Sequence, residues 1–114
     1  MRITGKKILT KLKLKQKGNL KLSESIDLII SDLENNKFTS FEDLKKIRKD
    51  VDKVHSDGFY FFNLSIHRTL ILLEMDENNE ATIIWAGTHQ EYENIFKNNR
   101  DTIAKWLKKN RWIN

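Results

Sequence analysis

The stretch Trp85-Ala86-Gly87-Thr88-His89-Gln90-Glu91-Tyr92 gathers residues able to do acid–base chemistry at the point where an apolar run gives way to a helical pattern. Thr88 and Glu91 have the spacing of a capping box, in which two side chains satisfy the free backbone N–H groups of a helix start. Such a start can turn N–H groups outward and offer an anion a cradle, with His89 at its edge. Imidazole titrates near neutral pH, so His89 can move a proton while a ribose 2′-hydroxyl attacks the adjacent phosphate. Tyr92 can orient or protonate the leaving oxygen. The spacing is met equally by a plain helix cap that leaves His89 an exposed polar residue.

His67 and Arg68 make a second candidate, because Arg68 is the only lysine or arginine between Lys53 and Lys97. A guanidinium among apolar strand residues is costly to desolvate alone. Arg68 must therefore pair with an acid or grip a phosphate with two N–H groups. His55 lies in a polar segment and reads as ordinary surface. No His-Glu-x-x-His helix, phosphate loop or dinucleotide fingerprint is present, so neither a metal nor a cofactor is expected. The absence of cysteine removes disulfides, thiolate metal sites and a cysteine nucleophile together, and fits a reducing compartment.

Charge is unevenly placed within the 114 residues. The first 23 carry eight basic residues and no acid, and residues 97–114 carry six against Asp101 alone. The centre is correspondingly acidic. If the two ends meet, Lys6, Lys7, Lys11, Lys97 and Arg100 form a surface that attracts RNA phosphates and weakens as salt rises. Solvated lysines that only keep the chain soluble are the other reading. The length suits one domain over residues 1–114. No segment approaches the ~20 apolar residues that span a bilayer, so a cytoplasmic protein without membrane contact is expected.

The elements that must position these residues follow from periodicity. Met1–Thr4 reads as a short edge strand and residues 6–17 as a basic amphipathic helix ended by Gly18 and Asn19. Ile26, Ile29, Ile30 and Leu33 line a second helix with Ser23 as its cap. A third begins at Thr39, with Glu42 completing a capping box and Phe41, Leu44, Ile47 and Val51 facing inward. Phe59–Leu64, Thr69–Met75 and Ala81–Ala86 read as strands, with a hairpin tip at Glu77-Asn78-Asn79. The unbroken apolar runs Leu70–Leu73 and Ile83–Ala86 predict strands covered on both faces. A last helix from about Asn99 carries Ile103, Trp106 and Leu107.

In this order, the elements and motifs resemble the HigB branch of the RelE-like toxins. Met1-Arg2 with Lys6-Lys7, Ser40-Phe41 with Asp43-Leu44-Lys45-Lys46, Phe62-Asn63-Leu64 followed by His67-Arg68, and Gly87-Thr88-His89 with Glu91-Tyr92 carry the resemblance. It implies an α+β fold, a small antiparallel sheet packed against helices and closed by a C-terminal helix. It implies a type II toxin that cleaves messenger RNA without metal, usually on the ribosome, and that a cognate antitoxin holds inactive. Arg68 would contact the scissile phosphate, His89 would shuttle the proton, Tyr92 would assist, and His67, Lys97 or the N-terminal lysines would supply further positive charge. RelE-like members carry catalytic lysines on the first long strand, where this chain has Phe59, Tyr60, Phe61, Phe62 and Asn63. That difference keeps two rivals open: a ParE-like toxin that inhibits a topoisomerase, and a non-catalytic RNA-binding module.

Overall fold

The run Phe59-Tyr60-Phe61-Phe62-Asn63-Leu64 has no polar face except at Asn63, and the fold uses both sides of it. Tyr60, Phe62 and Leu64 enter one apolar core while Phe59 and Phe61 enter another. A computed structural model describes all 114 residues. The elements are β1 (Arg2–Thr4), α1 (Lys6–Lys15), α2 (Leu20–Glu34), α3 (Phe41–Ile47), β2 (Asp52–His55), β3 (Phe59–Leu64), β4 (His67–Glu74), β5 (Glu80–Thr88), α4 (His89–Phe96) and α5 (Arg100–Lys109). The sheet order is β1-β5-β4-β3-β2, with β1 parallel to β5 and all other neighbours antiparallel. This is the expected α+β architecture with its C-terminal helix.

Helices α1, α2 and α3 cover one face through Leu9, Leu12, Leu22, Ile26, Ile29, Leu33 and Leu44. Helices α4 and α5 cover the other through Tyr92, Phe96, Ile103 and Leu107. Two-sided cover explains the continuous apolar runs in β4 and β5. A bulge in the β4–β5 register at Leu70/Ile71 leaves one residue of β5 unpaired and brings Ile84 and Trp85 into the same core. Gly5 leads from β1 into α1 with φ 81, and a Cβ there would lie 2.4 Å from the Ile83 carbonyl oxygen. Only glycine fits so close a crossing.

Several boundaries differ from the sequence expectation, among them the start of β4 at His67 and the end of β5 at Thr88. Helix α2 starts a turn earlier than Ser23, because Asn19 accepts from the Leu22 N–H at 3.1 Å and caps it. Helix α3 is capped by Ser40 rather than Thr39. The Ser40 hydroxyl accepts from the Asp43 N–H, and Thr39 instead donates to the Asp43 carboxylate at 2.8 Å, lowering that carboxyl's pKa. The same helix stops at Ile47, leaving Ile47 exposed and Val51 buried from the following loop. The stop follows from Arg48. Its guanidinium turns inward to Asp50 at 2.8 Å and Asp32 at 3.3 Å, and donates to the Asn63 carbonyl at 3.2 Å. Strand β2 was not expected at all; Val54 is its one buried side chain.

The Arg48 cluster joins α2, the α3–β2 loop and β3, and Asp50 also accepts the Asn63 N–H at 2.8 Å. Arg48→Ala would leave two carboxylates without their cation. Allowing for the partial exposure of both acids, it should destabilise the fold by about 2–3 kcal/mol. Urea denaturation measures this, and a loss under about 0.5 kcal/mol would mean the cluster acts as an ordinary surface pair.

Candidate active site

A two-residue turn, Ser65-Ile66, joins β3 to β4, and it determines what meets at this end of the sheet. Leu64 pairs with His67 and Asn63 with Arg68, while Arg68 faces Gly87 and His67 faces Thr88 across the other ladder. Asn63, Ser65, Ile66, His67, Arg68 and His89 line one shallow cleft of about 360 Å³. Three of the four residues singled out for catalysis therefore share a surface. Tyr92 lies beneath it.

Arg68 leaves the strand on the α4 side, with its side chain 13% exposed. Its guanidinium carbon sits 4.5 Å from the Tyr92 ring centroid and 5.0 Å from that of Phe61. The nearest carboxylate, Asp52, is 4.0 Å from Nη2, and Nε is buried with no partner. Aromatic faces attract the cation without using its N–H groups. Most of the donor capacity of Arg68 is thus unspent inside the protein.

His89 opens α4 and is exposed. Its ring stacks on Tyr92 at 5.6 Å, and Nε2 lies 3.4 Å from a Glu93 carboxylate oxygen. Tyr92 touches both Arg68 and His89 but is buried, and its hydroxyl donates to Asn98 at 2.8 Å. Burial raises its pKa, with Arg68 partly opposing. This placement makes Tyr92 a shelf for its neighbours, with the hydroxyl engaged by Asn98.

The capping box forms as expected: the Glu91 N–H donates to the Thr88 hydroxyl at 3.0 Å and the Thr88 N–H to the Glu91 carboxylate at 2.8 Å. These bonds hold the Glu91 carboxyl below its usual pKa. The anion cradle expected at this helix start is largely closed, because the His89 N–H donates to the Ile66 carbonyl at 3.2 Å and the Glu91 N–H is taken by the cap. The bond to Ile66 does something else. It ties the β3–β4 turn to α4 and so fixes His89 beside Arg68.

The basic ends do not merge into one surface. Helix α1 packs beside β5 on one face and α5 beside β2 on the other. Lys6 pairs with Glu34 at 2.7 Å, Arg100 donates to the Lys53 carbonyl at 2.8 Å, and Lys97 ends α4 with φ 54. None of Lys6, Lys7, Lys11, Lys97 and Arg100 lines the Arg68 cleft. Lys11 borders a separate cleft with Lys15, Gln16 and Glu91.

Residues 22–95 match the HigB_toxin family, described as the RelE-like toxic component of a toxin-antitoxin system. The chain belongs to the HigB toxin family. The match runs from α2 into α4 and so contains the whole cleft, while β1, α1 and α5 lie outside it. Comparison with curated proteins gave no match. Membership of a toxin-antitoxin family implies a cognate antitoxin as partner. No helix of the toxin is long and apolar enough to cross a membrane.

His67 is the one cleft residue that is essentially enclosed, 2% exposed, and neither ring nitrogen has a hydrogen-bond partner. Desolvation pulls its pKa below the ordinary 6.5, with the nearby Glu91 carboxylate partly opposing. Below that value the unfolded chain takes up a proton that the folded chain resists, so stability must fall as pH drops through it. His67→Leu should flatten this slope between about pH 7 and 5, measured by urea midpoints, leaving the Glu91 contribution to be lost only at lower pH. An unchanged slope in the variant would show that His67 is not the titrating group.

Proposed function

We propose that the toxin is a messenger-RNA endoribonuclease that cleaves without a metal ion, with translating messenger RNA as substrate and the Arg68 cleft as its active site. The observation that carries this reading is a largely enclosed guanidinium with unspent donors beside an exposed, carboxylate-backed histidine. A phosphodiester fits both groups. Arg68 binds the non-bridging oxygens and offsets the charge that grows on them during attack. His89 takes the proton from the ribose 2′-hydroxyl. The 2′-oxygen–phosphorus bond forms as the phosphorus–5′-oxygen bond breaks, and the proton returns to the departing 5′-oxygen. The products are a 2′,3′-cyclic phosphate and a 5′-hydroxyl.

The remaining residues position these two. Tyr92 fixes the distance between guanidinium and imidazole because each rests on its ring. Glu93 stabilises the imidazolium formed midway. Desolvation favours the neutral ring of His67, which walls the cleft with both ring nitrogens enclosed. Basic residues outside the cleft, such as Lys7, Lys11 and Lys97, serve general attraction to RNA and to the ribosome.

His89→Ala should lower RNA cleavage about 100-fold, the lower bound for loss of a general acid–base group. Arg68→Lys should be similarly impaired, since an ammonium keeps the charge but loses the two-pronged grip. Cleavage is read on ribosome-bound messenger RNA, with circular dichroism confirming that each variant folds. Undiminished cleavage in both variants would sink the assignment. Intact messenger RNA with a DNA-damage response after expression would instead identify a ParE-like inhibitor of a topoisomerase.

A further inference from the structure

The six basic residues after Phe96 face Asp101 as their only acid in sequence, and helix α5 sorts half of them to one side. Lys105, Lys108 and Lys109 stand at i, i+3 and i+4 on its outer side, while Ile103 and Leu107 are buried on the inner one. These three lysines and Arg111 are exposed, and none has a carboxylate within ion-pair distance. The acids on neighbouring elements are engaged elsewhere: Asp52 faces Arg68, Asp57 faces His55 and Glu93 faces His89. Asp101, one turn before Lys105 on the same side, sits in the first turn of α5, where it suits the positive helix end. Past it the chain holds no acidic side chain.

The end of the helix adds a second observation. The Trp112 N–H donates to the Leu107 carbonyl at 2.8 Å and the Arg111 N–H to the Lys108 carbonyl at 3.1 Å, which makes a Schellman turn. Its left-handed position, at φ 63, is held by Arg111, where glycine is the ordinary occupant. Lys108 and Lys109 already meet the negative end of the helix dipole, so the dipole does not account for an arginine at a strained position. The turn sends Ile113 back onto the core beneath α5 and leaves Trp112 39% exposed. Trp85 and Trp106 pack on that core with edge contacts to Phe96, whereas Trp112 joins neither a core nor an aromatic pair.

We infer that the outer side of α5 and the Arg111-Trp112 turn form a second RNA-binding surface, which holds an unpaired stretch of the messenger RNA beyond the cleaved phosphate. Phosphates meet Lys105, Lys108, Lys109 and Arg111, and a base stacks on Trp112. A double helix would offer the phosphates but keep its bases from the indole. A protein partner would need apolar area around it, and Trp112 is the one exposed large apolar side chain of α5 and its closing turn. The surface lies on the face of the sheet from which Arg68 emerges, because α4 and α5 cover that face together. Arg100, at the head of α5, donates to the carbonyl of Lys53, and the preceding residue, Asp52, is the one that faces Arg68. A strand gripped at Arg68 thus has α5, ~15 Å long, beside it. Helix α5 lies outside the matched part of the chain, so the family fold does not require this surface. That the RNA is the message rests on the Arg68 cleft being the nuclease site; the RNA-binding surface itself does not.

The test follows the fluorescence anisotropy of a labelled, unstructured RNA of about 12 nucleotides, 2′-O-methylated to block cleavage, as the toxin is added. Trp112→Ala should weaken binding about 5-fold or more, the equivalent of one stacked base. Arg111→Gly separates function from structure. Its urea midpoint should rise as the left-handed strain is relieved, while RNA affinity falls and the slope of log affinity against log salt shrinks by about 0.7. Lys37→Gln, exposed in the α2–α3 loop, should bind as the wild type does. Circular dichroism confirms that each variant folds. The proposal is overturned by a wild-type toxin that shows no saturable binding, or by wild-type affinity in either Trp112→Ala or Arg111→Gly. Equal weakening of single- and double-stranded RNA by Trp112→Ala would remove the stacking role and overturn it too. So would weaker binding of the variants to message-free ribosomes with oligonucleotide affinity intact, which would assign the surface to ribosomal RNA. Binding that maps to α5 while the wild type cleaves no messenger RNA would leave the RNA surface standing and remove the nuclease reading.

Discussion

The alternation of β4 is the constraint from which the site follows. His67 and Arg68 are adjacent in the strand, so they must leave on opposite faces of the sheet. Both faces are closed by apolar cores, one under α1 to α3 and one under α4 and α5. Neither side chain can therefore take the ordinary route into bulk water. They border the cleft because they are the first two residues of the strand, at the end of the sheet beside the Ser65-Ile66 turn. One arrives as a neutral ring without a partner, the other as a cation resting on aromatic faces.

The energetic position of Arg68 is unusual for a partly enclosed charge. Contacts with Phe61 and Tyr92 supply roughly 1–2 kcal/mol each at most. Desolvating a guanidinium costs several kcal/mol unless its N–H groups are satisfied. Asp52 at 4.0 Å, itself half exposed, offers weak compensation and no hydrogen bond. A bound phosphate would supply both the opposite charge and the missing acceptors, so the strained free state and a liganded state differ in the direction that favours anion binding. The Tyr92 ring serves this by holding the guanidinium in place against its face. The His89 N–H bonded to Ile66 then prevents the second group from drifting away.

Long apolar patterns made most of the fold legible. Both two-sided strands, the capping box at Thr88 and Glu91, the edge strand and the C-terminal helix all follow from local spacing. What local spacing could not give was fixed by distant partners. Strand β2 has four residues and a single buried valine, so its identity depends on pairing with β3 rather than on its own pattern. The early end of α3 depends on Asp32, sixteen residues before Arg48, drawing the guanidinium inward. Placing the start of β4 at Thr69 hid the two-residue hairpin. With the strand begun at His67, Asn63 falls opposite Arg68, and Asn63, Ser65 and Ile66 become visible as cleft residues from sequence alone. The opposite faces of α1 and α5 required the topology, since charge runs carry no information about which side of a sheet they will cover.

The absence of a lysine on β3 is best understood through the same hairpin. Asn63 lies beyond the end of β2, so its main-chain groups on that side lack a strand partner. Asp50 accepts its N–H and Arg48 donates to its carbonyl, and together they replace the missing ladder. Both groups pointing away from β4 make Asn63–Arg68 a non-hydrogen-bonded pair, the arrangement in which facing side chains stand closest, with Cα atoms about 4.5 Å apart. A lysine at 63 would put a second cation against Arg68, whose nearest acid is already distant, and directly opposed like charges destabilise a sheet. A neutral amide avoids that repulsion and leaves a polar group facing the cleft. Permanent positive charge at this end of the sheet is accordingly concentrated on Arg68.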